Sequence, residues 1–309
     1  MRVAVIGAGG IGGYFGASLA RAGHDVHFLA RGAHLEVIQA SGLRVVEPAE
    51  TWSVRVAASA RVQEIPRTDF AIVAVKSYSL SEVADASREL AFAGAVIVPL
   101  LNGVEAFETL AGGGVPPEAI VPGLAVISVE RSAPGEITLR SAFKTVVLGE
   151  HGGGRSDRAD AIVAAFSASG IDARASEGIA VDLWRKFLFL ASMAAACGLA
   201  RAPIGPVRIA PLGRRLLERA VAEIAAVARA RGVALPPGEE ERVLERMSAL
   251  PAAMKPSFLL DIERGGPTEL DVLSGAVSRY GRAAGVDTPI HDAVTAAISA
   301  SLRFRQPEG

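Results

Sequence analysis

The first sixteen residues, Met1 to Gly16, constrain the fold more than any other stretch. Val3 to Ile6 is short and wholly apolar, the pattern of a strand buried on both faces. Gly7, Gly9 and Gly12 follow in G-x-G-x-x-G spacing, and residues 14–21 continue as an amphipathic helix that ends at Gly23. In that context each glycine has its own physical task. Gly7 permits a tight strand-to-helix turn, Gly9 lets the backbone approach a pyrophosphate, and Gly12 lets the helix lie close to the strand. The helix N-terminus then aims its unpaired N–H groups at the phosphates. Gly7, Gly9, Gly10, Ile11 and Gly12 are therefore the candidate cofactor-binding residues. A glycine-rich turn that only packs a helix on a sheet would use the same spacing; its position between a strand and a helix favours the dinucleotide reading.

Residues 25–30 read as the second strand. Its tip is Ala30-Arg31-Gly32, with no carboxylate until Glu36. An acidic residue at this position holds the ribose 2′-hydroxyl of NAD, whereas an arginine suits the 2′-phosphate of NADP. Arg31 therefore points to NADP(H), unless it is only a solvated loop residue. Residues 43–46 and 53–57 alternate and suggest a hairpin. Buried strands at 70–75 and 95–101 end in Lys76 and Asn102. Ligands in open α/β sheets bind outside the carboxyl ends of strands, which makes both residues candidates. Ser79 is placed to cap a helix running to residue 92. Further strands are expected at 125–129, 136–139 and 145–148, with a turn at Ala133-Pro-Gly135, then a helix at 155–168 and a last strand at 171–175.

Beyond residue 177 strand-like runs stop. Helical patterns cover 179–199, 213–231, 239–250, 255–263, 268–284 and 290–302, and in the second of these Leu216, Leu217, Ala220, Ile224 and Val227 share a face. The expected architecture is an α/β Rossmann-type dinucleotide-binding domain over 1–176, followed by an all-α substrate and catalytic domain over 177–309. The active site is expected in the cleft between them. A chain of 309 residues that is 50% hydrophobic can fill two cores. Its net charge of -1 gives no reason to expect nucleic acid or an anionic membrane as partner. The one cysteine, Cys197, permits no disulfide within the chain, and no metal cluster is spelled out. Met1 leads directly into a strand, so no signal peptide is expected; the longest apolar stretch, 187–200, is short for a membrane span. A soluble, cytoplasmic protein is the expectation.

Two stretches of the helical half carry chemistry. Lys186 lies in Leu183-Trp-Arg-Lys-Phe-Leu-Phe-Leu190, beside a strongly apolar face. A lysine partly removed from water has its ammonium form disfavoured, which moves its pKa toward the range of a general acid. Most lysines on helices merely snorkel past such neighbours. Thr268 and Glu269 open the helix at 268–284, where the dipole favours a carboxylate.

Taken together, the pieces resemble the ketopantoate reductases (2-dehydropantoate 2-reductases) over nearly the whole chain. The resemblance is carried by Val5-Ile-Gly-Ala-Gly-Gly-Ile-Gly12, Arg31, Val75-Lys76, Leu101-Asn-Gly103, Leu183-Trp-Arg-Lys186, Pro256-Ser-Phe-Leu-Leu-Asp261 and Thr268-Glu-Leu-Asp271, in that order. It implies NADPH-dependent reduction of ketopantoate to D-pantoate in pantothenate and coenzyme A biosynthesis. Lys186 matches the general acid, Glu269 the residue that holds the substrate hydroxyl, and Ser257 the one that binds the carboxylate. Asn102 matches an asparagine bridging nicotinamide ribose and substrate, and Lys76 a lysine near the cofactor. The partner implied is a small 2-oxo acid; a homodimer is left open. The chain departs from the family where asparagines commonly follow the lysine: Leu190 and Ala194 stand there, and Ile204 occupies a third, usually polar, position. A different 2-oxo acid, or a non-catalytic NADP-binding regulatory role, stays open on that account.

Overall fold

A computed structural model describes residues 1–304. The chain forms two units, Met1–Leu101 with Ala106–Ile179, and Asn102–Glu105 with Ala180–Gly309. The main boundary falls at Ile179 rather than residue 176, and the short segment Asn102–Glu105 groups with the helical unit.

The first unit runs β1 (Arg2–Ile6), α1 (Gly10–Arg21), β2 (Asp25–Leu29), α2 (Gly32–Ser41), β3 (Leu43–Val46), β4 (Thr51–Val54), β5 (Ala57–Ser59), β6 (Phe70–Val73), α3 (Ala84–Phe92), β7 (Val96–Pro99), α4 (Ala106–Gly112), β8 (Gly123–Ala133), β9 (Glu136–Leu148), α5 (Asp157–Ala168) and β10 (Asp172–Ala175). One sheet is wholly parallel, in the order β5-β2-β1-β6-β7. β1 lies at its centre, and Val3, Ala4, Val5 and Ile6 are all buried, as an apolar run between two neighbours requires. This is the Rossmann-type arrangement. Phe15 of α1 meets Phe166 of α5 edge to face at 5.7 Å between centroids, a favoured aromatic geometry.

The unit also holds a second sheet. It has the order β10-β9-β3-β4, with β8 pairing along β9. The expected hairpin is its edge, but it pairs Leu43–Val46 with Thr51–Val54 rather than with 53–57, and Ala57 opens β5 of the parallel sheet. The strands expected at 136–139 and 145–148 are one strand of 13 residues, β9. Its middle, around Arg140 and Phe143, is exposed, and the register with β8 passes there from Ile127–Lys144 to Val129–Leu139, so hydrophobic patterning and ladder pairing are interrupted at the same irregularity. Ser79 does not cap a helix: it ends a 3₁₀ turn, and α3 begins at Ala84 behind Val83, which supplies no side-chain cap. α2 gave no clear pattern because only His34 and Ile38 of it are buried.

The second unit runs α6 (Ile179–Ala200), α7 (Ile204–Ile209), α8 (Gly213–Ala230), α9 (Glu239–Ser248), α10 (Ser257–Arg264), a π-helical turn (Asp271–Gly275), α11 (Ala276–Ala284) and α12 (Pro289–Phe304). The helix expected at 268–284 is thus broken by the π turn. In α6, Ala191 to Gly198 are all buried. Its 22 residues are long and apolar enough to cross a membrane, yet 61% of its most apolar window is buried inside the protein, as in a core helix. Cys197 is part of that core, and burial pushes its thiol up to about 12. On α8, Leu217, Ala220, Ile224 and Val227 are buried and Leu216 partly so, as the spacing predicts.

Glu223, also on α8, reaches the start of α12. Its carboxylate accepts the N–H groups of Ile290 at 2.9 Å and His291 at 3.1 Å, satisfying donors that a helix N-terminus leaves free. Replacing Glu223 with Ala should cost about 1–2 kcal/mol, seen as a lower midpoint in chemical unfolding. Glu223→Gln keeps one acceptor and should recover part of that loss.

Candidate active site

The glycine loop of the first unit has the geometry its spacing implied. Gly7 adopts φ +98°, and a Cβ there would lie 2.8 Å from the Ala74 carbonyl carbon and the Val75 nitrogen. A Cβ on Gly12 would lie 2.1 Å from the Gly7 oxygen, so that position admits only glycine without a backbone shift. Gly9 differs: nothing lies within 4 Å of where its Cβ would be. Gly9 also precedes α1, whose N-terminus carries no side-chain cap and no acid in its first turn. Open space, free N–H donors and the positive end of a helix together fit a dinucleotide pyrophosphate. Gly10 turns its Cα toward the Val129 carbonyl of β8, 2.6 Å from an added Cβ, and the partly buried Ile11 packs on the core.

A residue not singled out in the sequence holds this loop. His34 is buried, with Nε2 2.7 Å from the Ala8 carbonyl oxygen and Nδ1 2.8 Å from the Gly135 nitrogen. The carbonyl can only accept and the N–H only donate, so the ring is neutral with its proton on Nε2. Burial lowers its pKa, in keeping with that state. His34 thus joins the glycine loop to the turn between β8 and β9. Arg31 follows β2 directly, at the cap position of α2; its side chain is 88% exposed, with Glu82 at 3.8 Å. A cation so weakly held can turn to another anion. Lys76 is exposed just past β6 and opens the 3₁₀ turn at Ser77–Ser79.

In the second unit three of the candidate residues form a hydrogen-bonded chain. Lys186 Nζ donates to Asn102 Oδ1 at 3.1 Å, and Asn102 Nδ2 donates to Glu269 Oε2 at 3.1 Å. An ammonium has only donors and a carboxylate only acceptors, so one orientation of the Asn102 amide satisfies both neighbours. The adjacent cation, Arg185, is directed elsewhere: its Nε donates to Glu239 at 3.0 Å. Lys186 is partly buried beside Trp184, Phe187 and Leu188. Burial lowers its pKa to about 8, and the nearby Glu269 charge works in the opposite direction. Glu269 itself is only 4% exposed.

Glu269 does not open a helix as expected. It lies in the bend before the π turn, where its carbonyl accepts the Leu273 N–H at 3.1 Å. π turns are uncommon and often mark functional sites. His291 grips the turn from α12: its Nδ1 is 3.1 Å from the Ser274 hydroxyl and its Nε2 is 3.1 Å from the Ala220 carbonyl. Ser257 is the exposed first residue of α10. Of the positions where the chain departs from the family pattern, Ala194 is 1% and Ile204 0% exposed, both in the helical core, while Leu190 is partly buried.

A partly buried lysine with its pKa lowered to about 8, fixed beside an amide and a carboxylate, can give up and recover a proton. Comparison with known proteins gives the family. Residues 3–153 match the family model described as ketopantoate reductase PanE/ApbA, and residues 179–301 match that of its C-terminal part. The chain is 33% identical to an uncharacterized oxidoreductase, YkpB, of Bacillus subtilis, covering 96% of this chain and 97% of that one. It is 32% identical to a 2-dehydropantoate 2-reductase of Mesorhizobium japonicum, with the same coverage of 96% and 97%. The crystal structure of 2-dehydropantoate 2-reductase from Methylococcus capsulatus superposes with a TM-score of 0.90 at 29% identity, covering 100% of this chain and 99% of that one. With both of its units matched and its lysine, asparagine and glutamate joined in one chain of hydrogen bonds, this oxidoreductase belongs to the ketopantoate reductase family.

Proposed function

We propose that the protein reduces a 2-oxo acid to the 2-hydroxy acid with NADPH, and that ketopantoate is the substrate, giving D-pantoate for pantothenate and coenzyme A synthesis in the cytoplasm. The observation that carries this reading is the Lys186–Asn102–Glu269 chain. When bound, the nicotinamide cofactor supplies hydride to the ketone carbon. Lys186 supplies the proton to the ketone oxygen. With a pKa of about 8, roughly nine-tenths of it is protonated at pH 7, and its acidity lies closer to the working pH than that of an ordinary lysine. Glu269 accepts a hydrogen bond from the substrate hydroxyl, Asn102 keeps the lysine oriented and reaches the nicotinamide ribose, and Ser257 takes the carboxylate. The N–H groups of Gly9 to Gly12 hold the pyrophosphate, Arg31 the 2′-phosphate, and Lys76 the reactants near the cofactor. A role limited to binding the cofactor leaves the Lys186–Asn102–Glu269 arrangement without a purpose.

A second reading is favoured by Leu190, Ala194 and Ile204. Buried apolar side chains offer no partner to a substrate hydroxyl, and a lost hydrogen bond costs roughly 1–3 kcal/mol. The substrate would then be a more apolar 2-oxo acid. NADPH oxidation with ketopantoate and a panel of apolar 2-oxo acids separates the two. A kcat/KM of about 10⁴ M⁻¹s⁻¹ or more is expected for the true substrate.

Two variants test the residue roles. Lys186→Ala should lower kcat by roughly 10²–10⁴ while NADPH binding, read by nucleotide fluorescence, stays within a few-fold. Arg31→Ala should raise the KM for NADPH by roughly 10- to 100-fold, the value of a charged hydrogen-bonded pair, and leave that for NADH nearly unchanged.

A further inference from the structure

The segment Asn102–Glu105 meets the π turn and the residues on either side of it at three places. Asn102 reaches Glu269, as described above. Gly103, at φ +92°, passes so close to Val272 that an added Cβ would stand 3.3 Å from its carbonyl oxygen. Glu105 is bound by Arg279, the fourth residue of α11, whose Nη2 lies 3.0 and 2.8 Å from the two carboxylate oxygens. The same guanidinium turns to the π turn itself. Its Nη1 donates to the Asp271 carboxylate, and its Nη2 donates to the Asp271 carbonyl oxygen at 3.1 Å. One side chain therefore ties the residue three after Asn102 to the residue two after Glu269.

The limbs of this clamp differ in weight. The Asp271 side chain is 82% exposed, and a pair so solvated holds little. The Glu105 side chain is 18% exposed, so this limb is less open to competing water than the one to Asp271. A guanidinium also presents several donors in one plane, which a lysine cannot do. The Asp271 carbonyl adds a backbone anchor that an ordinary surface pair lacks.

We propose that Arg279 is a positioning residue: by clamping Glu105 to the π turn it holds the Asn102 amide in the one orientation that bridges Lys186 and Glu269. This rests on the reductase reading for its consequence in turnover, but its structural part is readable without turnover. Without the clamp, Asn102 and Glu269 swing away from Lys186 part of the time. Lys186 then keeps its burial and loses the carboxylate that opposes it, so its ammonium deprotonates at lower pH.

The test uses the full-length protein with Arg279→Ala, Arg279→Lys and Glu105→Gln. Lys186 is titrated by pH-dependent acetylation with acetic anhydride, read peptide by peptide in a mass spectrometer, and steady-state kinetics are run with the best 2-oxo acid. The expected result is a Lys186 midpoint lower by half a unit or more in Arg279→Ala and Glu105→Gln, with Arg279→Lys between them and the parent. kcat/KM should fall by roughly tenfold or more, with NADPH affinity within twofold. The proposal is overturned if the midpoint stays at the parent value in both variants. It is also overturned if Arg279→Ala loses activity only as its melting temperature collapses while Glu105→Gln behaves as the parent. If the parent turns over no 2-oxo acid, the functional reading fails, and the Lys186 midpoints still decide the role of Arg279.

Discussion

The polar site of the helical unit depends on one amide. Asn102 is the group that can face an ammonium with one end and a carboxylate with the other, and it does so across 84 residues to Lys186 and 167 to Glu269. Remove it and a half-buried lysine and a buried glutamate each lose a partner in a low-dielectric setting, where unpaired polar groups are costly. Burial and the Glu269 charge pull the lysine in opposite directions, and the balance of about 8 lies closer to neutral pH than the value of an ordinary lysine. The surroundings follow from that need. Arg185 is drawn off by Glu239, His291 and Arg279 hold the π turn, and α6 is sunk in apolar side chains along the turns after Lys186.

The first unit meets a different constraint, close approach of backbone to backbone. Gly12 admits α1 against the Gly7 carbonyl, Gly7 passes the end of β6, and Gly9 leaves open space in front of an uncapped helix N-terminus. His34 fixes the loop from behind with a neutral ring set between a carbonyl and an N–H. The loop is held by neutral hydrogen bonds, which leaves the positive end of α1 uncompensated for an anion.

Much of this was legible in the sequence where the signal is local. The buried runs of β1, β6 and β7, the glycine spacing, the exposed Arg31 and the change to helical periodicity after residue 177 each need only a short window. The residues matched to the family through Asn102, Lys186 and Glu269 do come together. What was not legible depends on distant partners. Glu105 and Arg279 are 174 residues apart and His34 and Gly135 are 101 apart, and neither pair leaves a pattern in its own neighbourhood. The π turn was hidden because Leu270, Leu273 and Val277 keep helical apolar spacing through it, so periodicity continues while the hydrogen bonds change partner, as in the 3.0 Å bond from Gly275 N to Leu270 O. Conversely, β9 reads as two strands because its exposed middle breaks the alternation, and the register with β8 is irregular at the same place, between Leu139 and Lys144.

The proposed reduction turns on Lys186 acting as an acid of depressed pKa. The most direct measurement is the pH dependence of kcat/KM for reduction of the 2-oxo acid, from pH 6 to pH 10 at saturating NADPH. Reduction needs the protonated lysine, so the account predicts a level region at low pH and a fall, one power of ten per pH unit, beginning near pH 8. In Glu269→Gln the fall should begin earlier, because the charge that raises the lysine is gone. A profile that stays level to pH 10, or that rises with pH, would contradict it.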